Sequence, residues 1–436
     1  MIRRDKYLQK LIRHRDDGMP KVITGIRRCG KSYLLQRIFT DYLLSTGVPR
    51  DHIVILNLDS TDNQKYCDPI YLNDRVKELC SGEGRYYVIL DEIQNVRTIV
   101  NPIFEGGKHV YTTERDDRAI TFVNTVLGLS REPNIDLYIT GSNSRMLSTD
   151  VQTEFRGKAV NIDIRPLSFE EYLDYVQTDR DRAFNEFLIY GGMPQAVTGD
   201  PEDRKPYLKE LYETTYLKDI IERYRFKRED ALDQLSILLA TCVGQLINSS
   251  KLAELFRQKY GRGIDHTTIE SYLNAFKDSF LLQEAPRYDV KGKRVIGSTR
   301  KFYYIDNGLR NARCDFVYDD EGQLLENAVY NELVYDGFSA SVGCYDRYEK
   351  DREGKTVRKS MEIDFLARKD TDQYYIQVCN DISDERTRDR EKEPFIYLND
   401  NILKILVVNK PIGQFRDKDG FIVIGITDFL LKFLKR

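Results

Sequence analysis

An octapeptide near the start of the chain has the residue types and the spacing that hold nucleotide phosphates. It follows a predicted strand, Lys21–Thr24, precedes a predicted helix, and has the form GxxxxGKS. Glycines let the backbone N–H groups point at phosphates, and the helix N-terminus adds a positive dipole. Lys31 is expected to reach the β- and γ-phosphates of ATP, and Ser32 to ligate Mg²⁺. The predicted nucleotide-binding residues are Gly25, Ile26, Arg27, Arg28, Cys29, Gly30, Lys31, Ser32 and Tyr33.

A second apolar run, Tyr86–Leu90, ends in the acidic pair Asp91 and Glu92. A phosphate-binding loop requires a second strand that ends in an acid orienting the metal, so Asp91 is expected to hold Mg²⁺ through its water shell. Glu92 would polarise the attacking water as a general base. The alternative is that both acids simply end a buried strand. Together the two motifs predict ATP and Mg²⁺ as cofactors and ATP hydrolysis as the reaction.

Three further residues are candidates for contact with the γ-phosphate. The predicted strand Ile135–Thr140 leads into a polar turn, and ligands gather at the carboxyl ends of strands in open α/β sheets. Ser142 or Asn143 in that turn is therefore expected to sense the γ-phosphate. Arg156, just before the predicted strand Val160–Ile164, is a candidate arginine finger acting on the ATP of a neighbouring subunit. That role would require a homo-oligomer; the alternative is a solvated surface arginine.

The elements that position these residues indicate an α/β protein with several cores, since 436 residues exceed one typical domain. We predict a P-loop NTPase core of three α/β/α layers over 1–166 and a helical lid or connector over 167–230. A winged helix-turn-helix is predicted over 231–310 and a C-terminal α/β domain over 311–436. Apart from short turns, every part of the chain is assigned to a packed domain, as 41% hydrophobic residues allow.

Charge and cysteine usage exclude several classes of protein. The formal net charge of -3 provides no global basic field, so nucleic-acid binding would need a local patch. The first ten residues contain no apolar core, and no run approaches the roughly 18 apolar residues of a membrane span. We therefore expect a cytoplasmic protein without a membrane partner. Seven scattered cysteines without a CxxC pair indicate reduced thiols and no zinc site.

The segment 231–310 has the pattern of three short helices followed by a hairpin. Polar caps begin helices at Ser249 and Asp265, and the second of these would be the recognition helix. The strands Leu281–Tyr288 and Lys301–Ile305 would form the wing. Base-edge contacts are expected from Thr267, Thr268 and Glu270, and phosphate contacts from the basic residues Arg287, Lys291, Lys293, Arg294 and Arg300. A winged helix is also a common protein-interaction module, so double-stranded DNA and a protein partner both remain open.

Several motifs in order carry a family resemblance: GIRRCGKS, VILDEIQNV, LYITGSNSRMLS, EFRGK, RPLSFEEYL, FLIYGGMP and LLENAVYNEL. Taken together they resemble bacterial and archaeal ATPases of the AAA superfamily that carry a C-terminal domain of unknown function. The resemblance spans the chain and implies an ATPase core, a helical middle and a restriction-endonuclease-like tail. This sequence departs from the family over 98–123, which is longer and more charged and suggests an inserted loop or hairpin of unknown purpose.

The tail carries only part of a restriction-type nuclease site. Glu326 and Asp364 fall where such an enzyme would place metal-binding acids, but the E-x-K strand reads Gln377-Val378-Cys379. Since Mg²⁺ needs carboxylates and the water needs a lysine, we expect a nuclease-like fold without nuclease activity. Two functions remain open for the whole chain. One is an ATP-driven machine that remodels DNA or a nucleoprotein, and the other is a signalling or defence ATPase that recognises a protein.

Overall fold

The chain divides into two compact units in the computed structural model, which describes residues 2–113, 116–141, 155, 157–317, 321–350 and 354–435. The N-terminal unit comprises Ile2–Arg165 with Asp278–Phe280, and the C-terminal unit comprises Pro166–Lys277 and Leu281–Arg436. Among the described residues, every helix is too short or too polar to cross a lipid bilayer. All seven cysteines are free and six of them are buried.

A parallel five-stranded sheet forms the centre of the N-terminal unit. Its strands are β1 (Lys21–Thr24), β2 (Ile53–Asn57), β3 (Tyr86–Asp91), β6 (Ile135–Thr140) and β7 (Val160–Asp163), in the spatial order β2-β3-β6-β1-β7. Every residue of β1, β3 and β6 is buried. Such continuous burial is typical of a parallel sheet covered on both faces. The predicted strand positions are confirmed, with the last strand ending one residue earlier than expected.

Helices of the N-terminal unit connect these strands. The helix after the glycine-rich loop runs over 31–45, with α-helical Lys31–Tyr33, a π-helical stretch Leu34–Phe39 and α-helical Thr40–Ser45. The other α-helices are Asp5–Arg13, Pro69–Leu79 and Phe122–Leu129. Short 3₁₀ segments cover Arg50–His52, Thr61–Cys67, Ile93–Asn95 and Pro102–Glu105. Because all five strands are parallel, these connections bring the carboxyl ends of β1, β3 and β6 to one side of the sheet.

The described residues of the segment 98–120, which we call the tongue, form a small separate sheet after β3. Strand β4 (Ile99–Val100) pairs with β5 (Ala119–Ile120) on one side, and on the other side Ile99 forms a bridge with Tyr111. The sequence predicted an inserted loop or hairpin here. The structure shows a three-stranded arrangement whose tip is the turn around Pro102–Glu105.

Helices make up the first part of the C-terminal unit. They cover Phe169–Val176, Arg180–Tyr190, Pro194–Thr198, Arg204–Glu210, Leu211–Leu217, Lys218–Tyr224, Glu229–Thr241, Ser249–Tyr260 and His266–Asp278, with a 3₁₀ turn at Pro201–Asp203. The three segments from Arg204 to Tyr224 follow one another without a break, and the middle one is π-helical. A capping box of Ser168 and Glu171 begins the first helix, as the pattern S-x-x-E at its start requires.

An eight-stranded mixed sheet forms the rest of the C-terminal unit. Its strands are β8 (Leu282–Asp289), β9 (Arg294–Tyr304), β10 (Ser339–Lys350), β11 (Thr356–Lys369), β12 (Asp372–Cys379), β13 (Leu403–Val408), β14 (Phe415–Arg416) and β15 (Ile422–Gly425), in the order β14-β15-β13-β12-β11-β10-β8-β9. The C-terminal unit is completed by four α-helices and one π-helical segment. They are Asn307–Arg313, Glu321–Tyr335, Glu385–Ile396, Ile426–Asp428 and the π-helical Phe429–Phe433. Because β8 pairs with β10, the hairpin β8–β9 lies in the same sheet as the tail.

Two adjacent glycines explain the conformation at the end of helix Arg180–Tyr190. Gly191 has a φ of +69°, and a Cβ there would lie 2.2 Å from Oδ1 of Asp306. The N–H of Gly192 donates to the same carboxylate at 2.6 Å. Burial raises the pKa of Asp306 to about 6. The FLIYGGMP segment therefore has a packing role, since only glycine fits against this buried acid.

The position of the hairpin β8–β9 shows that one residue of the predicted basic patch, Arg300, was wrongly assigned. Strand β9 begins at Arg294 and not at Lys301, so Arg300 lies within the strand. Its guanidinium pairs with Glu270 and lies 3.3 Å from Glu284. Arg300 is therefore not a free phosphate contact, and Glu270 is not free to read a base, since each is neutralised within the unit. The turn residues Lys291, Lys293 and Arg294 remain exposed.

Candidate nucleotide site

The glycine-rich loop is shaped by the strand that runs beside it. Gly25 has a φ of +138°, and a Cβ at this position would lie 2.1 Å from the carbonyl oxygen of Ile164. The thiol of Cys29 donates to that same oxygen at 3.3 Å. Burial raises the pKa of this thiol. Gly30, with a φ of +100°, ends the loop where the helix begins. The two glycines of GxxxxG are thus required by backbone geometry.

Lys31 lies buried at the start of the helix. Its ammonium donates to the carbonyl oxygens of Gly25 at 2.9 Å and Ile26 at 3.0 Å. Among the described residues no carboxylate lies within ion-pair distance of it. A buried cation without a counter-charge is costly, and an anionic ligand would supply the missing charge. The position of Lys31 therefore fits the phosphate groups that the sequence predicts.

Asp91, at the end of β3, accepts hydrogen bonds from three side chains. Its Oδ1 accepts from the hydroxyls of Ser32, at 3.1 Å, and Thr140, and its Oδ2 accepts from the amide of Gln36 at 2.7 Å. The predicted metal ligands Ser32 and Asp91 are therefore direct neighbours. Hydroxyl and carboxylate oxygens suit Mg²⁺, which also takes oxygens from phosphates and water. Within the described part of the chain, no three His, Cys, Asp or Glu side chains alone form a metal cage.

Glu92 occupies the left-handed region, with a φ of +56°. Its N–H donates to the hydroxyl of Thr140 at 3.0 Å, and its carboxylate accepts a hydrogen bond from Gln94. Such a backbone conformation costs on the order of 1 kcal/mol or more for a residue other than glycine, and it persists only where its surroundings impose it. This backbone conformation directs the chain at Glu92 away from β3, next to Asp91 and at the edge of the sheet where the parallel strands have their carboxyl ends.

The sequence missed two side chains in this group, Thr140 and Gln36. Gln36 follows Ser32 by four residues, so it lies on the same face of the helix, a spacing that could have identified it. Thr140 ends the predicted strand, but its partners come from β3. Arg28 and Tyr33 of the predicted binding set are exposed, whereas Ile26 is buried. Ser142, Asn143 and Arg156 lie outside the described residues.

The acids of the tail come together around a lysine that the motif did not contain. The ammonium of Lys301, on β9, lies 2.8 Å from Glu326, 2.8 Å from Glu362 and 3.1 Å from Asp364. Burial raises the pKa of Glu326 to about 7, and the three acids raise the pKa of Lys301 against the opposing effect of its own burial. The amide of Gln377 accepts from the N–H of Asp364 at 3.3 Å. Lys301 thus provides the positive charge that offsets the mutual repulsion of these three carboxylates.

In this site a glycine-rich loop leads into a buried lysine and a serine, which face an aspartate at the end of a strand two places away in the sheet. This arrangement defines the P-loop nucleotide-binding class. Residues 17–173 match the model of a family described as "AAA domain". Residues 181–318 match a second family, described as "Domain of unknown function (DUF8612)". The AAA part of the resemblance is confirmed. The match to the domain of unknown function covers helices of the C-terminal unit and the hairpin β8–β9.

The chain belongs to the same family as an uncharacterized protein of Haemophilus influenzae, to which it is 33% identical over 438 residues, 99% of each chain. It is also 27% identical over 425 residues to an uncharacterized protein of Methanocaldococcus jannaschii, covering 94% of this chain and 84% of that one. The family thus includes a bacterial and an archaeal member, as the resemblance implies.

Solved structures show only a loose likeness. The Aeropyrum pernix ORC1 protein in complex with DNA has 13% identity and a TM-score of 0.28, over 72% of this chain and 93% of that one. AMPPCP-bound DnaA from Aquifex aeolicus has 12% identity and a TM-score of 0.32, over 62% and 86%. TM-scores this low do not establish a shared overall shape.

Proposed function

We propose that this protein hydrolyses ATP and uses the cycle to remodel DNA or a nucleoprotein. The observation that carries the proposal is the convergence of Lys31, Ser32, Asp91 and Glu92 at the carboxyl ends of one parallel sheet. Lys31 binds the β- and γ-phosphates, and Ser32 and Asp91 hold Mg²⁺, which neutralises phosphoryl charge when bound. Glu92 accepts a proton from the attacking water.

The roles predicted for Asn143 and Arg156 are part of the same proposal. Asn143 would sense the γ-phosphate, since the chain reaches it directly after β6, whose last residue Thr140 already contacts Asp91. Arg156 would complete the site of a neighbouring subunit, so that hydrolysis would require a homo-oligomer. Mixing Arg156→Ala with Glu92→Gln protein tests this: mixed assemblies should recover turnover that neither variant shows alone.

The contact with DNA would come from the winged helix predicted over 231–310. Three helices, Glu229–Thr241, Ser249–Tyr260 and His266–Asp278, precede the hairpin β8–β9, the order that this module requires. Phosphate contacts would come from the exposed turn residues Lys291, Lys293 and Arg294, and base contacts from Thr267 and Thr268. A nuclease role is not part of the proposal, and plasmid should stay intact with the protein and Mg²⁺ or Mn²⁺.

One observation favours a second function, a signalling or defence ATPase that recognises a protein. The ion pair between Arg300 and Glu270 removes two of the predicted DNA contacts. A wing used for protein recognition does not need them. In that case hydrolysis would act as a timer between two shapes, and DNA would not change turnover.

Steady-state ATP hydrolysis tests the proposal. We would compare wild type with Glu92→Gln and with the matched control Glu83→Gln, an exposed acid of the same unit, each with and without double-stranded DNA at two salt concentrations. Wild type and the control should turn over, Glu92→Gln should bind ATP without turnover, and DNA should accelerate wild type. Turnover indifferent to DNA would move the assignment to the protein partner. A wild type that hydrolyses no ATP would refute the proposal.

The wing is tested by binding. The change Lys293→Gln with Arg294→Gln should weaken duplex binding and reduce the salt slope by about 0.9 for each lost phosphate contact. Arg386→Gln with Lys418→Gln removes the same charge at exposed positions elsewhere in the unit and is the control. Equal loss in both variants would show only a general charge effect.

A further inference from the structure

The tongue has a hydrogen-bonded backbone of its own and contacts the rest of the N-terminal unit through His109. Within the tongue, the N–H of Thr112 donates to the carbonyl oxygen of Thr98 at 3.0 Å and that of Val100 to Val110 at 2.8 Å. His109 Nδ1 lies 2.6 Å from a carboxylate oxygen of Asp68, the cap of helix Pro69–Leu79. The backbone of the tongue is therefore held in a defined arrangement beside that helix.

Exposed apolar side chains concentrate on the tongue and beside it. Of the fifteen large apolar side chains exposed in the described part of the chain, five are Tyr71, Ile103, Phe104, Val110 and Tyr111. The ring of Tyr71 stacks on His109 of the tongue at 4.7 Å, so it belongs to the same surface. Ile103 is 84% exposed and Phe104 is 60% exposed. A third of the exposed apolar side chains thus lies in one small region, which marks a binding surface.

Cations accompany these rings. The guanidinium of Arg97 lies 4.9 Å from the ring centre of Tyr111, and the ammonium of Lys65 lies 5.2 Å from that of Tyr71. Lys108 is exposed at the tip. Among the described residues none of these three cations has a carboxylate within ion-pair distance.

Two acids of the tongue pair with an arginine of the tongue. Glu105 and Asp116 both lie near Arg118, at 3.7 Å and 3.1 Å, whereas Asp117 is exposed. Arg118 therefore cancels part of the negative charge on the tongue. Among the described residues, no carboxylate is within ion-pair distance of the cations beside the rings, so an anionic ligand can supply their counter-charge.

We propose that the tongue binds single-stranded nucleic acid. Bases would stack on the exposed rings of Phe104 and Tyr111, and Lys65, Arg97 and Lys108 would contact the phosphates. Ile103 at the tip supplies an apolar contact between bases. An apolar protein partner fits less well, because it would bury these cations without a counter-charge, whereas each nucleotide brings both a flat apolar face and a negative charge.

This inference deepens the proposed function, since it gives the ATPase a second nucleic-acid contact. Only the residues Ile93 to Arg97 separate the tongue from Glu92. Glu92 begins a 3₁₀ turn, Ile93–Asn95, and Arg97 N–H donates to the carbonyl oxygen of Cys67 at 2.7 Å. A change at the nucleotide would therefore have a short path to the tongue, which includes this hydrogen bond.

Binding of fluorescein-labelled oligothymidylate, measured by anisotropy without ATP, tests the inference, because this probe has no secondary structure and leaves only stacking and phosphate contacts. Phe104→Ala with Tyr111→Ala should weaken binding roughly ten- to a hundredfold. Arg97→Gln with Lys108→Gln should weaken it and lower its salt dependence. Tyr348→Ala with Phe415→Ala, which removes two exposed rings from the C-terminal unit, should leave the affinity unchanged.

A second measurement uses the absence of tryptophan from the sequence. Phe104→Trp places a single tryptophan at the tip, which can be excited selectively at wavelengths that tyrosine does not absorb, and stacked bases should quench its emission in proportion to binding. Phe415→Trp, at an exposed position of the other unit, should not respond. The far-ultraviolet circular dichroism and the thermal unfolding of all these variants should match those of wild type, which shows that they are folded.

The outcomes separate the two proposals. If the ring variant binds oligothymidylate as wild type does, or Phe104→Trp is not quenched, the tongue does not bind single strands and its surface is left for a protein. If wild type binds no single strand while duplex DNA still accelerates ATP hydrolysis, the tongue inference fails and the proposed function stands. If neither nucleic acid binds, both fail.

Discussion

Asp91 shows how a single carboxylate can organise a site. Its two oxygens accept from Ser32 and Gln36 on one helix and from Thr140 on β6. Thr140 in turn accepts the N–H of Glu92 at 3.0 Å. One hydroxyl therefore holds both the acid proposed to bind Mg²⁺ and the backbone of the proposed general base, although it was absent from the predicted site. We regard Thr140 as a positioning residue, since it acts through Asp91 and Glu92.

Replacing Thr140 by valine tests this role. Thr140→Val keeps the volume but removes both hydrogen bonds, and loss of such an outer partner lowers activity by roughly ten- to a hundredfold. We expect kcat for ATP hydrolysis to fall by that amount, with nucleotide affinity changed only a few-fold. Thr140→Ser restores the hydroxyl and should recover most of the rate. If serine is as poor as valine, the defect lies in packing and not in the hydroxyl.

At the scale of elements, a buried glutamate joins two helices of the C-terminal unit. Glu332, on helix Glu321–Tyr335, accepts the N–H of Phe169, the first residue of helix Phe169–Val176, at 2.6 Å. Burial raises the pKa of Glu332 from 4.5 to about 8. The folded protein therefore holds a proton on this group over a pH range where the unfolded chain has lost it.

This shift predicts how stability depends on pH. The stabilising contribution of protonated Glu332 is fully present below about pH 4.5 and is lost as pH rises towards 8, because the unfolded chain binds fewer protons in this window. Glu332→Gln keeps an acceptor for the N–H of Phe169 but does not titrate. The melting temperature of the C-terminal unit, measured by calorimetry, should fall over this pH range in wild type and fall less in the variant. The corresponding loss of unfolding free energy should differ between the two proteins by on the order of a few kcal/mol.

The control for that experiment is an exposed acid, and Glu83→Gln should follow the wild-type pH profile. Parallel profiles for wild type and Glu332→Gln would mean that this carboxyl titrates normally in the folded protein.

At the scale of the whole molecule, the chain consists of two compact units with separate sheets. The P-loop lies entirely within the N-terminal unit. A ligand stabilises the unit that binds it by RT ln(1 + [L]/Kd), which is about 2.7 kcal/mol at a concentration one hundred times Kd. Ligand-linked stability can therefore show which unit binds ATP.

Scanning calorimetry with and without Mg²⁺ and ATP makes this measurement. We expect two unfolding transitions, of which only the one belonging to the N-terminal unit rises with ATP. Lys31→Ala should abolish the rise, while the control Lys77→Ala, an exposed lysine of the same unit, should preserve it. A single transition that shifts as a whole would contradict independent unfolding of the two units.

The sequence determined the features that depend on neighbouring residues. The phosphate-binding loop, the strand ending in Asp91 and Glu92, and the strand Ile135–Thr140 could be predicted because glycine conformations, helix starts and apolar runs are local properties. The adjacency of Ser32 and Asp91 followed from the same reasoning, since parallel strands bring their carboxyl ends together.

Only the tertiary structure decided which distant charges meet. Lys301 lies among Glu326, Glu362 and Asp364, and Arg300 pairs with Glu270. Neither result could be read from the sequence, because strand β9 starts earlier than its pattern suggested and a shift in strand position changes which side chains reach the core. The same holds for the tongue, whose rings and cations became a surface only once the chain between β3 and β6 had folded. Pairing of charges is settled by three-dimensional distance, and residue spacing along the chain does not fix it.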